Sequence, residues 1–217
     1  MTLAAPSPAA ATTTRSCGAF ALADAYQSLG RLEPPAAVWR RLRRWLTDDG
    51  ATPTHRLAAD AIRCGMAAAC LRSAQLTPHV VDAVLRTGWR AVLNLRDPVD
   101  PAAGHFVLAR RVAYGAVLID DPLRQQTYRI AGERLAELWS PAGACQEVTG
   151  GVLVAIGRRR AIDPRDCADC PECGGEFLLP AVLGLGWRRA WAPAWAAAHC
   201  PWCDALATPL PTDLLRA

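Results

Sequence analysis

An α+β fold, helices first and an antiparallel sheet after them, is predicted by two changes of period along the chain and by one cysteine pattern. Up to Gly88 the apolar side chains recur at helical spacing. From Trp89 to Ile156 they form short alternating or continuous runs broken by turn residues, as strands do. Beyond Arg158, two Cys-x-x-Cys pairs announce a small metal-stabilised appendage. The 217 residues are 52% hydrophobic, enough to bury the core of one medium domain with an appendage and too apolar for a disordered chain.

The first helix is expected over Ser16 to Gly30, with Ser16 as N-cap, Phe20, Leu22, Ala23, Tyr26 and Leu29 as apolar positions, and Gly30 as C-terminal cap. Cys17 falls in its first turn, where unpaired N–H groups and the positive end of the helix dipole stabilise negative charge on sulfur. That makes Cys17 a candidate nucleophile; the alternative is a buried cysteine that packs as a small apolar residue. Pro35 to Leu46 places Val38, Trp39, Leu42, Trp45 and Leu46 on one helical face and its arginines toward solvent, and Asp48-Asp49-Gly50 ends it. His55 to Cys64 and Thr77 to Arg86 read as two more helices, closed by Gly65 and Gly88. His55 and His79, near helix starts with no carboxylate partner in a strand pattern, are taken as surface residues.

The strands are Trp89 to Leu95, His105 to Val112, Ala116 to Ile119 and Gly151 to Ile156, with a short helix from Gly132 to Trp139 before the last. A hairpin of the second and third strands brings His105 beside the carboxylates that follow, Asp120 and Asp121. Cysteine, histidine and aspartate are the types that thiol acyl transfer needs. The imidazole takes the thiol proton and later protonates the leaving amine, and the carboxylate fixes its tautomer.

Cys17-Gly18 opening a helix, His105-Phe106-Val107 opening a strand and Asp121-Pro122 closing the next one resemble the bacteriocin-processing, double-glycine-leader peptidases of the papain-like cysteine peptidase superfamily. The resemblance spans about residues 12 to 156, including Thr127 to Trp139, which look like the family's stretch after the Asp-Pro. It implies a papain-like cysteine protease fold, a helical lobe plus an antiparallel sheet with the cleft between them. It also implies Cys17 as nucleophile, His105 as base and Asp121 as orienter. Between the two aspartates, Asp121 is preferred because it precedes the proline, and alternation turns Asp120 to the other face. The chain departs from the family pattern at Ala11, where such enzymes carry a glutamine whose amide binds the oxyanion. Loss of one such donor costs a factor of ~100 to 1,000 in rate.

The C-terminal part follows a linker that starts at Arg158. Cys170-Pro171-Glu172-Cys173-Gly174 and Cys200-Pro201-Trp202-Cys203 are two knuckles separated by the 26 residues from Gly174 to His199. Two residues between cysteines let both thiolates of a tight turn meet one ion, and two such turns complete a four-sulfur tetrahedron. The pattern resembles a zinc ribbon, with Cys170, Cys173, Cys200 and Cys203 as ligands; a redox dithiol or iron–sulfur set is the alternative. Cys167 and His199 are substitute ligands. Four thiolates leave no open position, so a zinc ion here is structural. Trp187, Trp191 and Trp195, at i, i+4 and i+8, are expected to be a core stripe, with a docking surface for a protein partner as the alternative.

The formal net charge of +4 rests on arginine alone, since the chain has no lysine, and the arginines form no concentrated basic run beyond 40–44 and 158–160. These are taken as solvated faces and argue against nucleic acid as a partner. Residues 1–14 carry neither a positive n-region nor a long apolar run, which predicts a disordered leader, no membrane insertion and a cytoplasmic protein. Cys64, Cys70 and Cys145 are expected to be reduced thiols. The domains expected are 1–14 leader, 15–157 peptidase and 158–217 linker with zinc ribbon. The function expected is peptide cleavage through Cys17, His105 and Asp121 and a thioester. An acyltransferase using the same chemistry, and a weak or inactive peptide-binding module bearing the zinc ribbon, are the alternatives.

Overall fold

The computed structural model describes residues 15–141, 147–159, 162–183 and 195–208. Three helices come first: α1 (Cys17–Ser28), α2 (Pro35–Leu42), which runs on into a 3-10 turn over Arg43–Trp45, and α3 (Thr54–Arg63). Next come β1 (Met66–Ser73), α4 (Pro78–Arg86), β2 (Arg90–Arg96), β3 (Gly104–Ala113), β4 (Ala116–Asp121) and β5 (Gln126–Ala131). The chain continues with α5 (Gly132–Trp139) and β6 (Val152–Arg158), then the short strands β7 (Cys167–Asp169), β8 (Glu176–Leu178), β9 (Trp195–His199) and β10 (Leu206–Ala207). Eight strands form one antiparallel sheet in the order β10-β9-β1-β6-β2-β3-β4-β5, and β7 pairs with β8 apart from it. The fold is α+β, as the periods predict.

Both faces of this sheet are covered, and the period of two decides which side chain serves which face. Met66, Ala68 and Cys70 of β1, Val92 of β2, Phe106 and Leu108 of β3 and Val152, Val154 and Ile156 of β6 join the core under α1, α2 and α3. Their neighbours Ala67, Ala69, Leu71, Leu93, Val107 and Leu153 join the second core with α4 and α5. Double-sided burial explains why β1 escapes the sequence expectation: Met66-Ala67-Ala68-Ala69 shows no alternation, and alanine is a poor strand former. The exposed edge strand β5 was likewise not expected, and it carries little apolar signal.

The helices are tied by a buried carboxylate. Asp60 of α3 accepts from Tyr26 Oη of α1 at 3.0 Å and from Arg41 Nε and Nη2 of α2 at 2.6 and 3.0 Å. Burial first, then the charge of Asp60, keeps the Tyr26 phenol protonated and therefore a donor. Arg41 thus leaves the solvated face assigned to it, because the fully buried Asp60 requires a cation. His55, expected at the surface, is also buried, on α3 against Asp204, with Nδ1 3.2 Å from Oδ1. Its partner follows the second cysteine knuckle, far along the chain, so local sequence could not show it. His79 is exposed as expected.

Two glycines position the start and end of α1. Gly30, at φ +87°, sits past the helix end, where Arg31 N–H reaches Tyr26 O at 2.9 Å. A Cβ on Gly18 would meet the Phe106 ring at 3.2 Å, a tight contact that would press on the ring, so the N-terminus of α1 lies close to the start of β3. Among the described residues no helix is long and apolar enough to cross a membrane.

Candidate active site and metal centre

Cys17 is the first residue of α1 and is buried. Ser16 holds the N-cap position, with its carbonyl accepting from Ala19 and Phe20 N–H at 2.9 and 3.2 Å. The close approach at Gly18 brings the Cys17 sulfur to the backbone of β3, where Phe106 N–H donates to Sγ at 3.5 Å. Phe106 follows His105, so thiol and imidazole meet where α1 begins and β3 begins.

His105 and Asp121 come together through the β3–β4 register. Leu108 pairs with Asp120, which brings Asp121 diagonal to His105 across the hairpin. His105 Nε2 lies 2.7 Å from Asp121 Oδ2, and both side chains are buried. Asp120 is committed elsewhere: it accepts from Arg110 on Oδ2 and from Thr127 on Oδ1, and Arg110 also holds Asp24 at 2.7 Å.

Sequence reasoning missed two members of this cluster, Asp97 and Arg124. Leu95 pairs with His105 across β2 and β3, so the carboxylate two residues beyond the pair, Asp97, comes within 4.0 Å of His105 Nδ1. Arg124 Nη2 donates to Asp97 at 2.6 Å, Arg124 Nη1 to Asp121 Oδ2 at 3.0 Å, and Arg124 N–H to Asp121 Oδ1 at 3.2 Å. One guanidinium therefore clamps both carboxylates that flank the imidazole. Asp97-Pro98 carried only a turn signal, and the hairpin register is the sequence feature that would have found it.

Burial is the largest influence on His105 and pulls its pKa down. The hydrogen bonds to Asp121 and Cys17 and the charges of both outweigh it, raising the pKa from its ordinary 6.5 to about 9. For Asp121, burial pushes upward, but His105 and then Arg124 hold the carboxyl below its usual range. A histidine raised in this way stabilises the fold below pH 6.5 and loses that contribution as pH climbs through 9. Asp121 acts in the opposite sense, its contribution lost only as pH falls through its depressed value. Urea unfolding at pH 6 and pH 9.5 is therefore expected to show about 3 kcal/mol less stability at the higher pH. His105→Gln removes that difference; an equal alkaline loss in both proteins would contradict the pairing.

The four knuckle cysteines also converge. Cys170 and Cys203 sulfurs are 3.4 Å apart, Cys173 and Cys200 sulfurs 3.7 Å, and all four ligand atoms lie within 4.8 Å of one another. A tetrahedral ion with metal–sulfur bonds of about 2.3 Å has edges of about 3.8 Å, whereas a disulfide needs about 2.05 Å. The spacing therefore fits four thiolates around one ion such as zinc. Burial works against ionisation of both Cys170 and Cys200; at Cys170 the backbone N–H groups of Cys173 and Glu172 outweigh it and bring the thiol down to about 7, whereas at Cys200 burial prevails over those of Trp202 and Cys203 and pushes the thiol up to about 12. Cys170 and Cys200 are buried, Cys173 and Cys203 exposed. Cys167 is not in the cluster but on β7, opposite Leu178. His199 turns away from the cluster, with Nδ1 2.8 Å from Asp204 Oδ1.

Cys64 and Cys70 are free buried thiols, as expected. Trp195 is buried in β9, which pairs with β1. Ala11, Cys145, Trp187 and Trp191 lie outside the described residues.

The helical N-terminal part packed on an antiparallel sheet is a fold shared with a solved peptidase domain. The particular likeness is to the crystal structure of the peptidase domain of Streptococcus ComA, a bi-functional ABC transporter involved in a quorum-sensing pathway. That match has a TM-score of 0.51 and 16% sequence identity, over 67% of this chain and 93% of the ComA chain. No family model and no curated protein matches the sequence.

Proposed function

We propose that the chain is a cysteine peptidase with Cys17 as nucleophile, His105 as proton carrier and Asp121 as the residue that orients His105. The observation that carries this reading is the buried 2.7 Å contact between His105 Nε2 and Asp121 Oδ2, beside a sulfur that accepts from the next residue's N–H. Asp121 accepts from Nε2–H, which leaves Nδ1 to exchange a proton with the Cys17 sulfur. The thiolate attacks a peptide carbonyl, and the Cys17 N–H, in the first turn of α1 where no intrahelical acceptor exists, donates to the oxyanion. Nδ1–H then protonates the departing amine and a thioester remains. Water attacks the thioester while Nδ1 takes its proton, and the acid and the free thiol leave the cycle where it began. Arg124, through Asp121 and Asp97, is a positioning residue.

A zinc ion on Cys170, Cys173, Cys200 and Cys203 would be structural, cross-linking the two knuckles with no coordination position left for water.

A peptide-binding module is the second reading, favoured by Ala11 in place of the family's glutamine. Incubation with a mixed peptide library, with and without added primary amines, followed by mass spectrometry, tests the proposal. New peptide termini that disappear in Cys17→Ala are the expected result. Amide products formed only with the added amine would show acyl transfer, and peptides retained intact would show a binding module.

A further inference from the structure

The two faces of the sheet differ beside His105. Phe106 joins the core under α1, to which Cys17 belongs, and the period of two turns His105 and Val107 to the face that α5 covers. On that face lies a cavity of about 490 Å³, and His105 and Asp121 form part of its wall. Cys17 is not among its lining residues.

Most of the wall is apolar. Leu95 of β2, Val107 of β3, Ile130 of β5 and Leu138 of α5 line it, and all four are buried. Two cations stand in the same wall, Arg96 at the end of β2 and Arg134 on α5. Both meet at Glu137: Arg134 Nη1 lies 2.5 Å from its carboxylate, while Arg96 Nη2 donates to its backbone carbonyl. One carboxylate therefore serves two guanidinium groups, and Arg96 has no ion pair among the described residues. Arg124 and a protonated His105, by contrast, are balanced by Asp97 and Asp121. Arg129 adds little, because the alternation that turns Tyr128 and Ile130 toward the cavity turns its side chain to the other face. One positive charge is thus left over. Arg96 Nε is also buried without a hydrogen-bond partner, a costly state until something accepts from it. Tyr128 is a further donor in the wall, since burial first and the charge of Asp121 second push its phenol up to about 12. Buried apolar walls, spare donors and one uncompensated cation are complementary to an apolar body that carries a single carboxylate.

We propose that this cavity binds a small apolar monocarboxylate, its carboxylate on Arg96 and Arg134 and its hydrocarbon body against Leu95, Val107, Ile130 and Leu138. The site does not require that Cys17 cleave a peptide, but its occupant lies against the His105–Asp121 pair.

Calorimetric titration of the full chain with decanoate tests the site, with decanol, acetate and decyltrimethylammonium as controls. One equivalent of decanoate is expected to bind, about 10-fold or more tighter than decanol or acetate, and the cation is expected not to bind. Arg96→Gln and Arg134→Gln, at side chains that are not fully buried, should each weaken decanoate by about 10-fold while leaving decanol and the thermal midpoint of the unliganded protein unchanged. In NMR spectra decanoate should move the imidazole resonances of His105, assigned with His105→Gln, and leave those of the exposed His79 in place. Decanol binding as tightly as decanoate, uptake of several equivalents insensitive to Arg96→Gln, or unmoved His105 resonances would overturn the site. None of these readouts needs turnover. A chain that binds decanoate in this way while Cys17 resists iodoacetamide would keep the site and lose the peptidase reading.

Discussion

Replacing Cys200 by serine is expected to abolish metal binding at the four-cysteine cluster and lower the thermal midpoint of the chain by roughly 10 °C or more. A structural zinc site contributes its binding free energy to folding, and a chain of this length loses about 2–4 °C for each kcal/mol. Cys200 opens the loop that leads from β9 into β10, and β9 pairs with β1, so the knuckle is joined to the main sheet. It also reaches α3 directly, through Asp204 on His55 and through Trp202, whose ring lies 5.4 Å from the Arg63 guanidinium. Cys173→Ser, at an exposed position, should have the same effect, which separates loss of metal from loss of packing. Metal content by plasma mass spectrometry and the midpoint by calorimetry check this. Unchanged values in both variants would mean that the sulfurs hold no ion.

Replacing His105 by alanine is expected to lower peptide hydrolysis by about 10²- to 10⁴-fold, the usual worth of a positioned general acid–base. On the proposed mechanism the loss should exceed that of Asp121→Asn or Arg124→Met, since His105 would handle both proton transfers. Asp121→Asn keeps the shape but no longer holds the imidazole in its charged form, and so should fall between wild type and His105→Ala. Arg124→Met, which releases Asp121 and Asp97 together, should shift the pH profile as well as the rate, an effect that loss of packing alone would not produce. Peptide turnover measured from pH 5 to 10 separates the three.

The fold class was legible because the periods are clean. α1, α3, α4, α5 and the strands around His105 and Val154 follow from apolar spacing and from glycines at their ends. β1 was not, since alanines buried on both faces of a sheet carry no alternation. The residues that the structure brings together were legible wherever they sit at an element boundary: Cys17 opening α1, His105 at the start of β3, Asp121 closing β4, and the paired knuckle cysteines. What stayed hidden was tertiary. Asp97 and Arg124 join the site only through hairpin register and a turn after Pro122. His55 reads as a surface residue until Asp204, in the C-terminal knuckle, is placed beside it. A turn aspartate and a lone helical histidine look the same in sequence whether solvated or buried.

The central claim is that His105 activates Cys17, and intact-mass analysis after brief exposure to iodoacetamide at neutral pH addresses it most directly. Wild type should take up one adduct rapidly, mapped by peptide digestion to Cys17, and His105→Ala should lose that rapid phase while keeping its fold and its metal. Labelling of Cys17 no faster than that of the buried Cys64 and Cys70, or unchanged by His105→Ala, would contradict the account.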